Sequence, residues 1–162
     1  MKVIFLDIDG VLNTEVFTRA TYAIAKRVNK SIYDIIMDEY GHYFDPMAVD
    51  MLGHIIKETG AKIVVSSTWR ASGLNVMQTM WEIRDLPGEV IDITCFMNTE
   101  RGEEIAEWLR ANQVDSYVII DDDSDMLPEQ FTNFVQTNPA YGITYPDSLK
   151  AIQILKPKPE EK

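Results

Sequence analysis

The chain has 162 residues and 46% hydrophobic content, which fits one domain with a sizeable core. Its formal net charge is -11 and its pI is near 4.5, a balance that repels polyanions and argues against long nucleic acid and anionic membrane surfaces as partners. No run is long enough to span a membrane, the short apolar start runs straight into acids unlike a signal peptide, and the single Cys95 excludes an internal disulfide. A reducing, cytoplasmic setting is therefore expected, with Cys95 as a small buried hydrophobe.

Residues 2–7 form the first predicted strand, and the chain then reads Asp7-Ile8-Asp9-Gly10-Val11-Leu12-Asn13. Side chains alternate faces along a strand, so Asp7 and Asp9 share a face at its carboxyl end. Ligand sites of open α/β sheets form at that end. Two carboxylates held so close repel each other unless a cation or a shared proton relieves them. Gly10 lets the chain turn sharply away.

Residues 14–44 carry two helical patterns, roughly 15–28 and 32–40, with Ser31 and Asp34 placed as a capping box. Asp34, Asp38 and Glu39 read as a solvated helix face, and Tyr33, Tyr40, Tyr43 and Phe44 as local core. Asp45-Pro46 starts a third helix, which Gly60 stops. A strand at 61–66 follows, then a helix near 74–84, a turn at Pro87-Gly88 and a strand at 89–94. Thr99 is placed to cap a helix at 100–111 with Ile105, Trp108 and Leu109 inward. A strand at 116–121, a short apolar segment near 131–136 and a helix from Pro146 to Leu155 complete the order. The charged, proline-rich tail 156–162 is expected to be disordered. His42 and His54 are too scattered for a zinc site and receive no role. Strands alternating with helices predict a single α/β domain over 1–155, a parallel sheet with helices on both faces.

Four segments in order now resemble the haloacid dehalogenase (HAD) superfamily. They are the Asp7-x-Asp9-Gly10 strand end, the strand Lys62 to Val65 ending in Ser66-Ser67, Arg101 at a helix start, and Tyr117 to Ile120 ending in Asp121-Asp122. The resemblance implies a three-layer Rossmann-like HAD core with strand 2–7 central, between strands 61–66 and 116–121. It also implies that the insertion at 14–44, too short for a cap domain, is a small helical flap or lid.

The same resemblance implies chemistry. Asp7 is the expected nucleophile and Asp9 the general acid. Asp9 favours a phosphatase, since dehalogenases of the superfamily lack that second aspartate. Magnesium suits an all-oxygen site. Asp7, the Asp9 backbone carbonyl and Asp122 are its expected ligands, with Asp121 bound through water or orienting, while Asp123 and Asp125 compete for the same task. The Ser66 hydroxyl and Ser67 amide would hold phosphate oxygens, and Arg101 would neutralise charge where the family more often has Lys.

Arg70, in Thr68-Trp69-Arg70, is expected either to contact substrate phosphate or to be a surface Arg beside a packing Trp. Asn13 and Thr14 lie near the pocket mouth and receive no role. The expected activity is magnesium-dependent hydrolysis of a small phosphomonoester through an aspartyl-phosphate, nucleotides being favoured. The Asp121-Asp122-Asp123 and Ser66-Ser67-Thr68-Trp69-Arg70 stretches also resemble small phage and bacterial members related to nucleic-acid repair phosphatases. A DNA or RNA end phosphatase is therefore the first alternative, and a non-catalytic binding module the second.

Overall fold

The computed structural model describes residues 1–31, 33–97 and 99–156. Its first half contains β1 (Lys2–Leu6), α1 (Glu15–Arg27), α2 (Tyr33–Ile36), β2 (Met37–Asp38), β3 (Gly41–His42), α3 (Pro46–Thr59) and β4 (Lys62–Val65). The second half contains α4 (Leu74–Ile83), β5 (Val90–Ile93), α5 (Arg101–Ala111), β6 (Ser116–Asp121), β7 (Phe134–Gln136) and α6 (Tyr145–Leu155). Single-residue alternation sorts the strand side chains into two cores. Ile4, Leu6, Ile63, Val65, Val118 and Ile120 pack with Leu52 and Ile55 of α3, Met77 and Met80 of α4, and Ala151 and Leu155 of α6. Val3, Phe5, Val64 and Ile119 pack on the other face with Ile105 and Trp108 of α5.

The sheet is parallel in the order β5-β4-β1-β6-β7, so β1 is central as expected. Its register sets the site. Leu6 pairs with Val65 on one side and with Ile120 on the other. The next residues continue the ladders: the Asp7 N–H donates to the Ile120 carbonyl, the Ser66 N–H to Leu6 and the Thr94 N–H to Val65, each at 3.0 Å. Thr94, Ser66, Asp7 and Asp121 thus stand side by side along one carboxyl edge.

Several expectations are corrected. The helix expected at 32–40 lasts one turn, α2, and residues 37–42 form a β-hairpin instead. Local side-chain bonding outcompetes helix there: Asp38 accepts from the Tyr40 N–H at 2.8 Å, and Gly41 takes a φ of +107°. Asp38 is therefore no solvated helix acid. Arg84, the residue that follows α4, grips both its oxygens at 2.9 and 2.6 Å and the Gly41 carbonyl at 3.1 Å, which ties the hairpin to the core. At the start of α2 the Asp34 N–H donates to the Ser31 carbonyl, a backbone turn. Phe44 is core, packed on Trp69 and Trp81, whereas Tyr33 and Tyr43 are exposed.

Thr99 is not the cap of α5. The Arg101 N–H is taken by Asp125 at 3.0 Å, from the loop after β6. Cys95 is exposed rather than buried, because β5 ends before it and the chain leaves the sheet. The apolar segment near 131–136 divides into a 3-10 turn (Pro128–Asn133) and β7. His54 joins α3 to α6, bonded to Ser148 at 3.1 Å and stacked on Tyr145. The expectation for the tail beyond Lys156, and Ile32 at the start of the expected second helix, lie outside the described residues. No helix among the described residues is long and apolar enough to cross a membrane.

Candidate active site

Asp7 follows β1 directly and is buried. Asp121 ends β6 and Asp122 follows it. Carboxylate oxygens of these three acids lie within 4.8 Å of one another. The tight approach of Asp122 depends on Gly10, whose φ is +74°; a Cβ there would lie 2.5 Å from the Asp122 Cγ. Only a residue without a side chain admits both the backbone turn and the carboxylate.

Three acids in one buried space strain against their own charge. Burial, and then the neighbouring Asp7 charge, push Asp121 up to about 7. Burial raises Asp7 as well, and Arg101 together with the Ser67 side chain works against that rise. Asp122 is raised by burial and by Asp7. One cation already sits among them: Arg101, on the first turn of α5, reaches Asp7 at 3.2 Å and Asp121 at 3.3 Å. Burial opposes its charge, but Asp121 and Asp7 more than compensate and raise its pKa. The remaining excess of negative charge and the all-oxygen donor set fit a hard divalent cation.

The other acids have separate partners. Asp125 caps α5, and Asp123 is exposed, its N–H donating to Asp121 at 2.9 Å. Neither belongs to the three-acid group. The Asp9 carboxylate is not part of that group either. The Trp69 indole N–H donates to one Asp9 oxygen and the Asn13 amide to the other, both at 2.9 Å. Asp9 thus stands at the site mouth with its orientation held from two sides. There, Asp9, Gly10, Asn13, Thr14 and the start of α1 border a cavity of about 330 Å³ with His42 of the hairpin.

Ser66 and Ser67 are both buried. The Ser67 Oγ accepts from the Trp69 N–H at 3.4 Å, whereas the Ser66 Oγ finds no partner among the described residues. A buried hydroxyl left this way is costly and is suited to receive an oxygen ligand.

Arg70 is not the surface residue that one of its expected readings made it. It is 5% exposed, and its guanidinium pairs with the buried Glu104 of α5 and donates to the carbonyls of Ser66 at 2.6 Å and Ser67 at 2.8 Å. It is a buried strut behind the serine loop, with its two terminal nitrogens committed to protein groups and its Nε without a partner among the described residues. Burial lowers its pKa and Glu104 opposes that. Sequence reasoning missed Glu104, which reads as an ordinary helix acid, and missed the grip of Trp69 on Asp9. The only signal for Trp69 was its place two residues after the serine pair.

The family model described as "HAD domain in Swiss Army Knife RNA repair proteins" matches residues 3–148, and the chain belongs to that family. No curated protein and no solved structure gives a significant match.

Proposed function

We propose that this HAD domain is a magnesium-dependent phosphomonoester hydrolase that removes phosphate from an RNA end. The observation that carries the reading is the buried Asp7, contacted by Arg101 at 3.2 Å and grouped with Asp121 and Asp122 at the sheet edge. The family description, which names RNA repair proteins, supports the polynucleotide substrate over the small phosphates that the acidic composition favours.

Asp7 is the nucleophile. Its carboxylate oxygen attacks phosphorus, the P–O bond to the leaving group breaks, and an aspartyl-phosphate forms. Asp9 gives the leaving oxygen its proton, then takes one from the water that attacks phosphorus in the second step, which breaks the bond between the Asp7 oxygen and phosphorus, releases inorganic phosphate and restores the Asp7 carboxylate. Trp69 and Asn13 keep Asp9 aimed through both. Ser66, Ser67 and Arg101 hold the phosphoryl oxygens, and Arg70 stiffens the serine loop from behind. Asp7, Asp121 and Asp122, with the Asp9 carbonyl, would hold magnesium, which supplies neutralising charge to the phosphate when bound. The insertion of α1, α2 and the hairpin serves as a small lid whose hairpin is pinned by Arg84.

The test is phosphate release with magnesium from phosphorylated oligoribonucleotides, nucleoside 5′- and 3′-monophosphates and ribose 5-phosphate. Asp7→Asn serves as control. Release from RNA ends that the variant abolishes and EDTA stops is the expected result. Mononucleotides as the best substrates would return the substrate to small phosphates. No release above Asp7→Asn would overturn the hydrolase reading in favour of a binding module.

A further inference from the structure

We propose that the cavity between β5 and α5 is a subsite for the nucleobase next to the scissile phosphate; the assignment rests on the hydrolase reading above. The cavity measures about 710 Å³, within the range of small-molecule sites. Thr94, Cys95 and Phe96, where the chain leaves β5 at the same carboxyl edge as Asp7, form one end of its lining, which extends along α5 to Ala111 and Asn112. β5 lies two strands from β1, which places the cavity roughly 10 Å along that edge at the usual strand spacing. Thr94 stands beside Ser66 in the edge, and Arg70 borders both places: its guanidinium holds the Ser66 and Ser67 carbonyls and also lines the cavity. A ligand with its phosphate at Asp7 can therefore lay a ring there without leaving the sheet edge.

The lining selects the ligand. Phe96 is 65% exposed, with Arg70 over one side of its ring at 4.8 Å, which leaves its other side open to a stacking partner. Aromatic rings and Arg guanidinium planes are the surfaces on which unpaired bases stack. Two buried polar atoms of the lining find no hydrogen-bond partner among the described residues: Thr94 Oγ1 and Arg70 Nε. Thr94 is 2% exposed and Arg70 5%. One can donate or accept and the other donates, so together they match the mixed edge of a base. Asp92 and Glu107, also in the lining, repel a phosphate and leave a neutral planar group as the fitting occupant. Asp92 is already spoken for by the Ile93 N–H at 2.9 Å and the Trp108 indole N–H at 2.7 Å, so it walls the cavity rather than reaching for a ligand.

The experiment compares Phe96→Ala and Thr94→Val with the unaltered chain on two substrates, a short phosphorylated oligoribonucleotide and ribose 5-phosphate, which lacks a base. KM for the oligonucleotide should rise about tenfold in Phe96→Ala, the usual worth of a stacked base. Thr94→Val should raise it less, and ribose 5-phosphate kinetics should stay level in both. Equal losses on the two substrates, or none, overturn the subsite. A second readout separates this from failure of the hydrolase reading: adenosine and uridine are titrated while the indole N–H resonance of Trp108 is followed. A saturable shift that Phe96→Ala removes supports the subsite even if no substrate is turned over, and the absence of a shift overturns it.

Discussion

Replacing Arg70 by Met isolates what the buried ion pair does for the fold and for the serine loop. The pair with Glu104 lies almost wholly out of water, each side chain 4% exposed. In Arg70→Met the Glu104 carboxylate stays buried with a single N–H donor in place, that of Met97 at 3.1 Å. Removing one partner of such a pair costs about 3–5 kcal/mol, most of it the penalty of the stranded charge. A domain of this size has about 5–15 kcal/mol in total, and each kcal/mol moves Tm by about 2–4 °C. The variant should therefore melt about 6–20 °C lower.

Arg70→Met/Glu104→Leu removes both charges and should recover most of that loss, giving a coupling of about 3 kcal/mol in a double-mutant cycle. The kinetics should not recover with it. Both variants lack the two donors to the Ser66 and Ser67 carbonyls, so both should show a raised KM for phosphorylated substrate. Urea unfolding and steady-state kinetics on the unaltered chain, Arg70→Met, Glu104→Leu and the double variant decide the matter. A cost below about 1 kcal/mol for Arg70→Met, or additive losses in the double variant, would refute the strut.

Trp69→Phe keeps an aromatic ring against Phe44 but removes the donor to Asp9; hydrogen bonds to charged groups are worth about 1.5–3 kcal/mol, so kcat should fall about 10- to 100-fold with little change in Tm. Gly10→Ala forces a side chain onto a positive φ and into the Asp122 carboxylate, so magnesium affinity, read by calorimetry, should drop along with stability. Without a divalent cation, Asp121 is a carboxyl whose pKa is raised on folding, from 3.8 to about 7. The folded state then binds the extra proton, so stability in EDTA should fall as pH rises from about 4 through 7 and level off above, by a few kcal/mol on the order set by linkage. Asp121→Asn should flatten that profile, and magnesium should raise Tm most at pH 8; a profile unchanged by the variant would remove Asp121 as its source.

The strands and their acidic ends were legible in the sequence because the signals are local. The apolar runs before Asp7, Ser66 and Asp121 need only neighbouring residues to be recognised, and parallel strands buried on both faces must be apolar throughout. The helix starts at Pro46 and Arg101 were legible for the same reason. The tail of the second lid helix was not, because Asp38 and Gly41 are held by Arg84, more than forty residues away.

Within the site, the order of motifs identified Asp7, Asp121, Asp122 and Arg101, and the fold alone decided how they meet. Asp121 and Asp122 both reach Asp7 because β6 pairs directly with β1, while Asp125, similar in sequence context, caps α5 instead. The partners of Asp9 and Arg70 belong to contacts between distant segments, Trp69 across 60 residues and Glu104 across 34. A residue type and its spacing state what chemistry is available along one strand. Which charge is buried, and which donor faces it, depends on how the sheet and helices close around it, and that is decided only when the layers pack.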